Sequence, residues 1–220
     1  MDNQKIFRPD GTYIKVESNI LQNKAIGICF SGLHYSYNYP LMYYSRNVLF
    51  ENKTDYLAID CSYSENDFFN QMNDNNQLEY IEKDKYLISE YLIGTLIKYE
   101  KIILIGKSIG VHFIRTLLKN TILENKVALV LFTPAYEWND IILEIIDAKY
   151  PVLIIGSRND KMFNVNNLGK LGERTNCFVL EIPNANHSLE VDNITSDLAN
   201  LSKIIECEKE FIVKYLKETA

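Results

Sequence analysis

Residues 104–111 read LIGKSIGV, and this stretch admits two incompatible interpretations. The triplet GKS at 106–108 is the end of a phosphate-binding P-loop, whereas GKSIG at 106–110 is the turn that presents a serine nucleophile. A P-loop requires a glycine five residues before its Gly-Lys-Ser, and that position is Lys101. Residues 102–105 are also all apolar, which is typical of a buried strand rather than of a loop. The sequence therefore favours the serine turn.

A serine presented in this way lies on a sharp turn between a strand and a helix. The apolar run 102–105 predicts the strand, and residues 109–120 predict the helix. Gly106 and Gly110 remove the side chains that would clash inside the turn. We therefore predict a strained backbone at Ser108, above the carboxyl edge of a sheet. Because the five-residue motif is common, a structural turn serine is the alternative at this point.

The composition is that of an ordinary soluble globular protein. Apolar residues make up 47% and charged residues 24% of the 220 residues. A chain of this length buries a substantial core, so we expect one domain over residues 1–220. The net charge of −6 argues against binding to nucleic acid or to an anionic membrane surface. A small-molecule partner fits this charge better, and the sequence indicates no oligomeric state.

The cysteines and the N-terminal residues indicate whether the protein binds a metal and in which cellular compartment it is expected. No C-x-x-C pair and no clustered histidine suggests a zinc site, because the four cysteines lie far apart, at Cys29, Cys61, Cys177 and Cys207. The opening MDNQKIFRPDG lacks the basic and apolar regions of a signal peptide, and no apolar run reaches membrane-spanning length. We therefore expect a cytoplasmic protein with reduced thiols, no metal and no cofactor.

Strand-like and helix-like stretches alternate along the chain, which predicts an α/β fold. The strands are predicted at 25–30, 56–59, 102–105, 127–132, 151–155 and 177–182, and the helices near 40–50, 77–99, 109–120, 137–148 and 196–217. The expected architecture is a three-layer α/β/α sandwich with a mostly parallel, doubly wound sheet.

Three connections complete this prediction. A Pro-Asp-Gly turn in KIFRPDGTYIKVES predicts an N-terminal hairpin at a sheet edge. The polar run QMNDNNQ at 71–77 predicts a loop. Only about fifty residues separate Ser108 from Asp160, and a strand and a helix use most of them, so we expect a minimal cap or none.

A nucleophilic serine requires a base within hydrogen-bond reach and a carboxylate that fixes the tautomer of that base. The sequence contains three histidines. His187, in IPNANHSLE, follows the last predicted strand, so its loop opens on the same edge as Ser108, and we predict that it is the base. His112 belongs to the helix after the turn, where it is expected to pack. His34 follows the strand at 25–30, so it is expected either to contact substrate or to have a structural role.

Several carboxylates follow predicted strands and are candidates for the acid. Asp160 follows the strand at 151–155, in GSRNDKM. Asp60, Glu137 and Asp140 also follow predicted strands at the same edge and are alternatives. A chain order of serine, aspartate and histidine is known for one particular fold, and this order favours Asp160.

On these motifs the chain resembles the α/β-hydrolase superfamily over nearly its whole length. Within it, the chain is most similar to the small, cap-poor hydrolases related to dienelactone hydrolases and short-chain carboxylesterases. The matching segments are FSGL at 30–33, GKSIG at 106–110, GSRND at 156–160 and NANHSLE at 184–190. The resemblance implies that Ser108 is the nucleophile, Asp160 the orienting acid and His187 the base. It also implies an oxyanion hole formed by the backbone N–H groups of Leu33 and Ile109.

Two positions depart from the pattern of this family. Ser31 stands where a histidine is common, which bears on the geometry of the oxyanion loop. Asp160 comes four residues after Gly156, where three is more usual, which bears on the assignment of the acid. Neither departure changes the order of the three predicted catalytic residues.

The resemblance implies hydrolysis of a small carboxylic ester or thioester through an acyl-enzyme. The tyrosine-rich loop LHYSYNYPLMYY, with His34 and Tyr35, is predicted to line the substrate pocket. Trp138 and Tyr136 are further candidates for its walls, with an ordinary crossover helix as the alternative for their segment. Two other functions are open: a binding module with an idle triad, and an acyltransferase that uses the same triad.

Overall fold

One sheet of eight strands organises the part of the chain that the computed structural model describes, residues 1–123, 125–135, 150–162 and 174–218. The strands are β1 (Asp2–Phe7), β2 (Tyr13–Asn19), β3 (Ala25–Phe30), β4 (Asp55–Ile59), β5 (Lys101–Lys107), β6 (Val127–Phe132), β7 (Val152–Gly156) and β8 (Cys177–Glu181). The helices are α1 (Pro40–Glu51), α2 (Asp67–Asn70), α3 (Asp74–Leu96), α4 (Gly110–Leu118) and α5 (Ile194–Lys217), with a 3-10 turn at Thr121–Leu123.

The order of the strands places β5 in the middle of the parallel part. This order is β1-β2-β4-β3-β5-β6-β7-β8, so β5 lies between β3 and β6. Strands β1 and β2 form an antiparallel hairpin, β2 pairs with β4 in the antiparallel sense, and the remaining neighbours are parallel. Both the predicted edge hairpin and the predicted, mostly parallel sheet are therefore confirmed.

Helices cover both faces of this sheet because successive side chains of a buried strand point to opposite faces. Along β5, Ile102 and Leu104 belong to a core that also contains apolar side chains of α3 and α4. Ile103 and Ile105 belong to a second core, which contains side chains of α1 and α5. The predicted arrangement of three layers is thereby confirmed.

Helix α3 begins earlier than predicted, inside the polar run 71–77 that was assigned to a loop. Asn73 caps this helix, since its side chain accepts a hydrogen bond from the N–H of Asn76 at 3.0 Å. The cap, rather than apolar spacing, starts the helix, so the loop prediction for 74–77 was wrong. The predicted helix at 137–148 lies outside the described residues, and so does the segment on which the expectation of a minimal cap depends.

A buried carboxyl group connects α1 and α5. Glu208 is fully buried, and its Oε2 lies 2.9 Å from Ser45 Oγ, which is also 2.9 Å from the Leu41 carbonyl oxygen. A serine hydroxyl has one proton, so a protonated Glu208 satisfies both contacts by donating to Ser45 while Ser45 donates to Leu41. Burial raises the pKa of Glu208 to about 8, which agrees with a neutral carboxyl at pH 7.

We predict that Glu208→Gln removes a pH dependence of stability. The pKa of this carboxyl is about 8 in the folded chain, against an ordinary value of 4.5, so the folded state holds the proton more tightly. Consequently the free energy of unfolding should fall as pH rises from 4.5 to about 8, by an amount on the order of a few kcal/mol. Urea unfolding of wild type and variant across this range measures the effect.

Glu210→Gln is the matched control, because Glu210 is exposed on the same helix. This control should keep the wild-type dependence of stability on pH. A Glu208→Gln variant with that same dependence would show that Glu208 is not the group responsible.

Candidate active site

Ser108 lies in a tight turn between β5 and α4. Its backbone φ is 52°, in the left-handed region that residues other than glycine seldom adopt. The N–H of Ser108 donates to the Phe132 carbonyl at 3.0 Å, and the carbonyl of Ser108 accepts from the Val111 N–H at 3.2 Å. The strained turn predicted from the sequence is therefore present, fixed on one side to β6 and on the other to α4.

The two glycines of the motif permit close packing around this turn. A Cβ atom at Gly110 would lie 2.3 Å from the carbonyl oxygen of Phe30 and 3.0 Å from that of Ser31. A Cβ atom at Gly106 would lie 2.7 Å from Cδ1 of Ile114, the far end of a side chain. Backbone cannot yield as a side chain can, so position 110 has the stricter requirement for glycine.

Polar contacts fix the loop that follows β3. Ser31 is fully buried, and its Oγ accepts from the N–H of Cys61 at 2.7 Å and donates to Asp60 at 3.2 Å. The backbones of Gly32 and Tyr35 pair with each other, at 2.9 and 3.3 Å. Asp60, an alternative for the acid, thus contacts this loop rather than a histidine. Ser31 anchors the loop to the end of β4, at the position where a histidine is common in the proteins that the sequence resembles.

The backbone N–H groups of Leu33 and Ile109 are those predicted to form the oxyanion hole. Leu33 belongs to the loop after β3, and Ile109 precedes the first residue of α4. Within the described ranges, neither the N–H of Leu33 nor that of Ile109 donates a hydrogen bond. Two unpaired donors of this kind can stabilise a developing negative charge by donating hydrogen bonds to it.

His187 and Asp160 are brought together directly. His187 Nδ1 lies 2.8 Å from Asp160 Oδ2, and the other oxygen of Asp160 accepts from the N–H of Met162 at 2.9 Å. The Asp160 side chain is 1% exposed, whereas that of His187 is 33% exposed. A buried carboxylate therefore holds one ring nitrogen of an imidazole whose other side reaches solvent. Of the alternative acids, Glu137 and Asp140 lie outside the described residues.

Ser108 and His187 are joined through the end of β6. Ser108 donates to the Phe132 carbonyl, and the next residue, Thr133, donates from Oγ1 to the His187 carbonyl at 3.1 Å. In the part of the chain that the structure describes, no hydrogen bond connects Ser108 Oγ with the imidazole itself. Such contacts are often long before substrate binds.

Lys107 is a residue of this site that the sequence reasoning missed. It is 1% exposed, and its Nζ donates to Thr133 Oγ1 at 2.5 Å. Burial lowers the pKa of Lys107 to about 7, against the opposing influence of the Asp160 charge. A signal was present in the sequence, because Lys107 has the same parity along β5 as the buried Ile103 and Ile105.

The remaining predicted residues differ in burial and in their position in the fold. Tyr35 is half-buried, with its ring centroid 5.4 Å from Lys107 Nζ. His34 is exposed in the same loop. His112 lies in α4, as expected, where burial and nearby cations lower its pKa. Trp138 and Tyr136 lie outside the described residues.

The described residues offer neither a cluster of metal ligands nor a membrane-spanning helix. Nowhere in the described ranges do three or more His, Cys, Asp or Glu side chains form a group suited to a metal ion. None of the helices in those ranges is both long enough and apolar enough to span a bilayer.

We predict opposite effects for alanine at two glycines. Gly110→Ala should lower the free energy of unfolding by on the order of 2 kcal/mol, since its Cβ would overlap the Phe30 carbonyl. Gly94→Ala should raise it by about 0.5–1 kcal/mol, because Gly94 lies inside α3 with nothing within 4 Å of a Cβ. Chemical unfolding measures both, and equal effects would contradict the packing described for Gly110.

Neither a protein-family profile nor a curated sequence matches this chain. Solved structures do. The chain is similar to Est1E from Butyrivibrio proteoclasticus, with a TM-score of 0.66 and 14% identity over 99% of this chain and 100% of that one. A further structure of Est1E contains ferulic acid.

Two other solved structures are similar to this chain to a comparable degree. An alpha-beta serine hydrolase homologue from Coxiella burnetii matches with a TM-score of 0.64 and 14% identity, over 95% of this chain and 96% of that one. The Pyrococcus furiosus esterase Pf2001 matches with a TM-score of 0.62 and 14% identity, over 97% and 90%. With its strand order and these neighbours, the chain has the α/β-hydrolase fold.

Proposed function

We propose that the protein is a serine hydrolase that cleaves a small carboxylic ester or thioester through an acyl-enzyme. The observation that carries this proposal is the 2.8 Å contact between His187 Nδ1 and the buried Asp160 carboxylate. It lies at the same edge of the sheet as the strained turn of Ser108, which has a φ of 52°. The esterase and the serine hydrolase homologue among the structural neighbours agree with this class of reaction.

In the proposed reaction, His187 is the general base. Its Nδ1–H donates to Asp160, which leaves Nε2 unprotonated and able to accept the proton of Ser108. Ser108 Oγ then attacks the carbonyl carbon of the substrate, and the imidazolium that forms is stabilised by the carboxylate.

The negative charge on the carbonyl oxygen is assigned to the N–H groups of Leu33 and Ile109. The positive end of the α4 dipole adds to this stabilisation, because Ile109 immediately precedes the helix. Collapse of the intermediate returns the proton from His187 to the alcohol or thiol that leaves. Water then attacks the acyl-serine by the same route and releases the acid.

A small cavity next to the loop that carries His187 is the candidate for the substrate pocket. The cavity has a volume of about 250 Å³, and its lining includes Tyr35, Leu41, Ser188 and Leu189. This volume lies just below the usual range for drug-sized ligands, so a short acyl or alcohol group fits it. A larger cavity of about 660 Å³ lies between the β1–β2 turn and α3, away from the residues assigned to catalysis.

We predict that Ser108→Ala reduces hydrolysis of p-nitrophenyl acetate by roughly 10³-fold or more, since the nucleophile is lost. Wild type should react with a fluorophosphonate probe at Ser108, and the variant should not. Ser202→Ala, an exposed serine on α5, is the matched control. Undiminished hydrolysis by Ser108→Ala would reject this nucleophile.

The same probe separates the alternative functions. A wild type that neither hydrolyses esters nor reacts with the fluorophosphonate would be a binding module with an idle triad. A wild type that reacts but transfers its acyl group preferentially to an added alcohol or amine would be an acyltransferase. A methyl ester of ferulic acid belongs in the substrate panel, because that acid is bound to Est1E.

We predict that Asp160→Asn lowers kcat by about 10⁴-fold, because an amide no longer favours the required imidazole tautomer. Asp60→Asn is the comparison, since Asp60 was the alternative acid and contacts Ser31 instead. Steady-state kinetics on both variants should give the larger loss at Asp160. A larger loss at Asp60, with Asp160→Asn near wild type, would move the acid role to Asp60.

A further inference from the structure

A second chain of hydrogen bonds lies beneath the predicted triad. Lys107 Nζ donates to Thr133 Oγ1 at 2.5 Å, and Thr133 Oγ1 donates to the His187 carbonyl at 3.1 Å. The hydroxyl has one proton and can also accept, so it serves both contacts in this direction only. The chain therefore runs from β5, through the end of β6, to the loop that follows β8.

Thr133 is held in an unusual conformation by these contacts. Its φ is 38°, in the left-handed region, which is an outlier for a β-branched residue. Its own N–H donates to the Ile155 carbonyl at 2.8 Å, so backbone and side chain are both fixed. Strained backbone of this kind persists where the surroundings over-determine it, and it clusters at functional sites.

We propose that Lys107 and Thr133 are positioning residues, which set the location of His187 relative to Ser108 and place a positive charge near Asp160. This inference rests on the function proposed above. It assigns a role to the lysine of the GKS triplet, which had none once the P-loop interpretation was rejected.

The geometry explains why two anchors are needed. The contact with Asp160 fixes Nδ1 of His187, but the ring and backbone could still pivot about that point. The contact with Thr133 fixes the carbonyl of the same residue. With both ends of His187 held, Nε2 has less freedom to move, and a displacement of about 1 Å in such groups costs about 10²-fold in rate.

The charge of Lys107 is the second contribution of this residue to the site. The groups around Lys107 Nζ are Thr133 Oγ1 at 2.5 Å, the Tyr35 ring with its centroid at 5.4 Å, and the charge of Asp160 from the β7 loop. Burial raises the pKa of Tyr35 to about 12, so this tyrosine stays neutral. The Lys107 ammonium and the Asp160 carboxylate attract each other. Because the pKa of Lys107 is about 7, the charge is present on the acidic side of neutrality.

Four variants test this inference with p-nitrophenyl acetate as substrate. Lys107→Met removes the charge and the donor, while Thr133→Val removes only the hydroxyl and keeps the β-branched shape. Both should lower kcat by roughly 10- to 100-fold with KM within about twofold. Thr133→Ser keeps the hydroxyl and should retain kcat within about threefold. Lys98→Met, at an exposed lysine before β5, is the matched control and should behave as wild type.

The pH profile provides a readout that a merely structural role would not change. In Lys107→Met the dependence of kcat/KM on pH near neutrality should change, because the variant lacks a group of this site whose pKa is about 7. Thr133→Ser should keep the wild-type profile. Thermal unfolding of each variant shows whether a loss of activity accompanies an intact fold.

The outcomes separate the two proposals. Wild-type kcat and pH profile in both Lys107→Met and Thr133→Val would overturn the positioning role and leave the hydrolase proposal standing. A wild type inert to ester and fluorophosphonate would overturn the hydrolase proposal and this inference with it. If Lys107→Met does not fold, the Thr133 pair decides: loss in the valine variant with rescue in the serine variant supports the role, and equal activities reject it.

Discussion

The site depends above all on how closely helix α4 approaches the end of β3. At Gly110 no side chain separates the helix from the Phe30 carbonyl, where even a Cβ would come within 2.3 Å. This approach forces the chain to leave β5 and enter α4 through a very short turn, which gives Ser108 its left-handed backbone. It also brings the N–H of Ile109 to the edge that carries the Leu33 loop. The absence of a Cβ atom at Gly110 therefore bears on both the backbone strain of Ser108 and the position of the Ile109 N–H.

The sequence predicted most of the framework because buried parallel strands are continuous apolar runs. Errors arose where the determining contact is not apolar. Strand β5 continues to Lys107 rather than ending at Ile105, since pairing with β6 carries the strand through polar residues. Helix α3 starts from the Asn73 cap, in a segment whose composition is typical of a loop. Apolar periodicity is a local property, whereas caps and strand pairing depend on specific hydrogen bonds.

The pairing of His187 with Asp160 could be predicted because chain order and strand ends already limited the choice. The contacts of Thr133 could not, since they require residues from β5, β6 and the β8 loop to meet, and the sequence does not specify that register. The same holds for Glu208 and Ser45, which lie far apart in sequence and meet between α1 and α5. The contacts of Thr133 and Glu208 are therefore organised by tertiary structure and have no local signature in the sequence.

His187 and Ser108 follow strands that have different numbers of neighbours in the described sheet. Strand β5 has a neighbour on each side, whereas β8 comes last in the order of the described strands and pairs there with β7. Strands bonded on one side open at lower free energy than central ones. Fraying that starts at β8 would carry His187 away while Ser108 stays folded, so dilute denaturant should separate these two residues before the molecule loses its compactness.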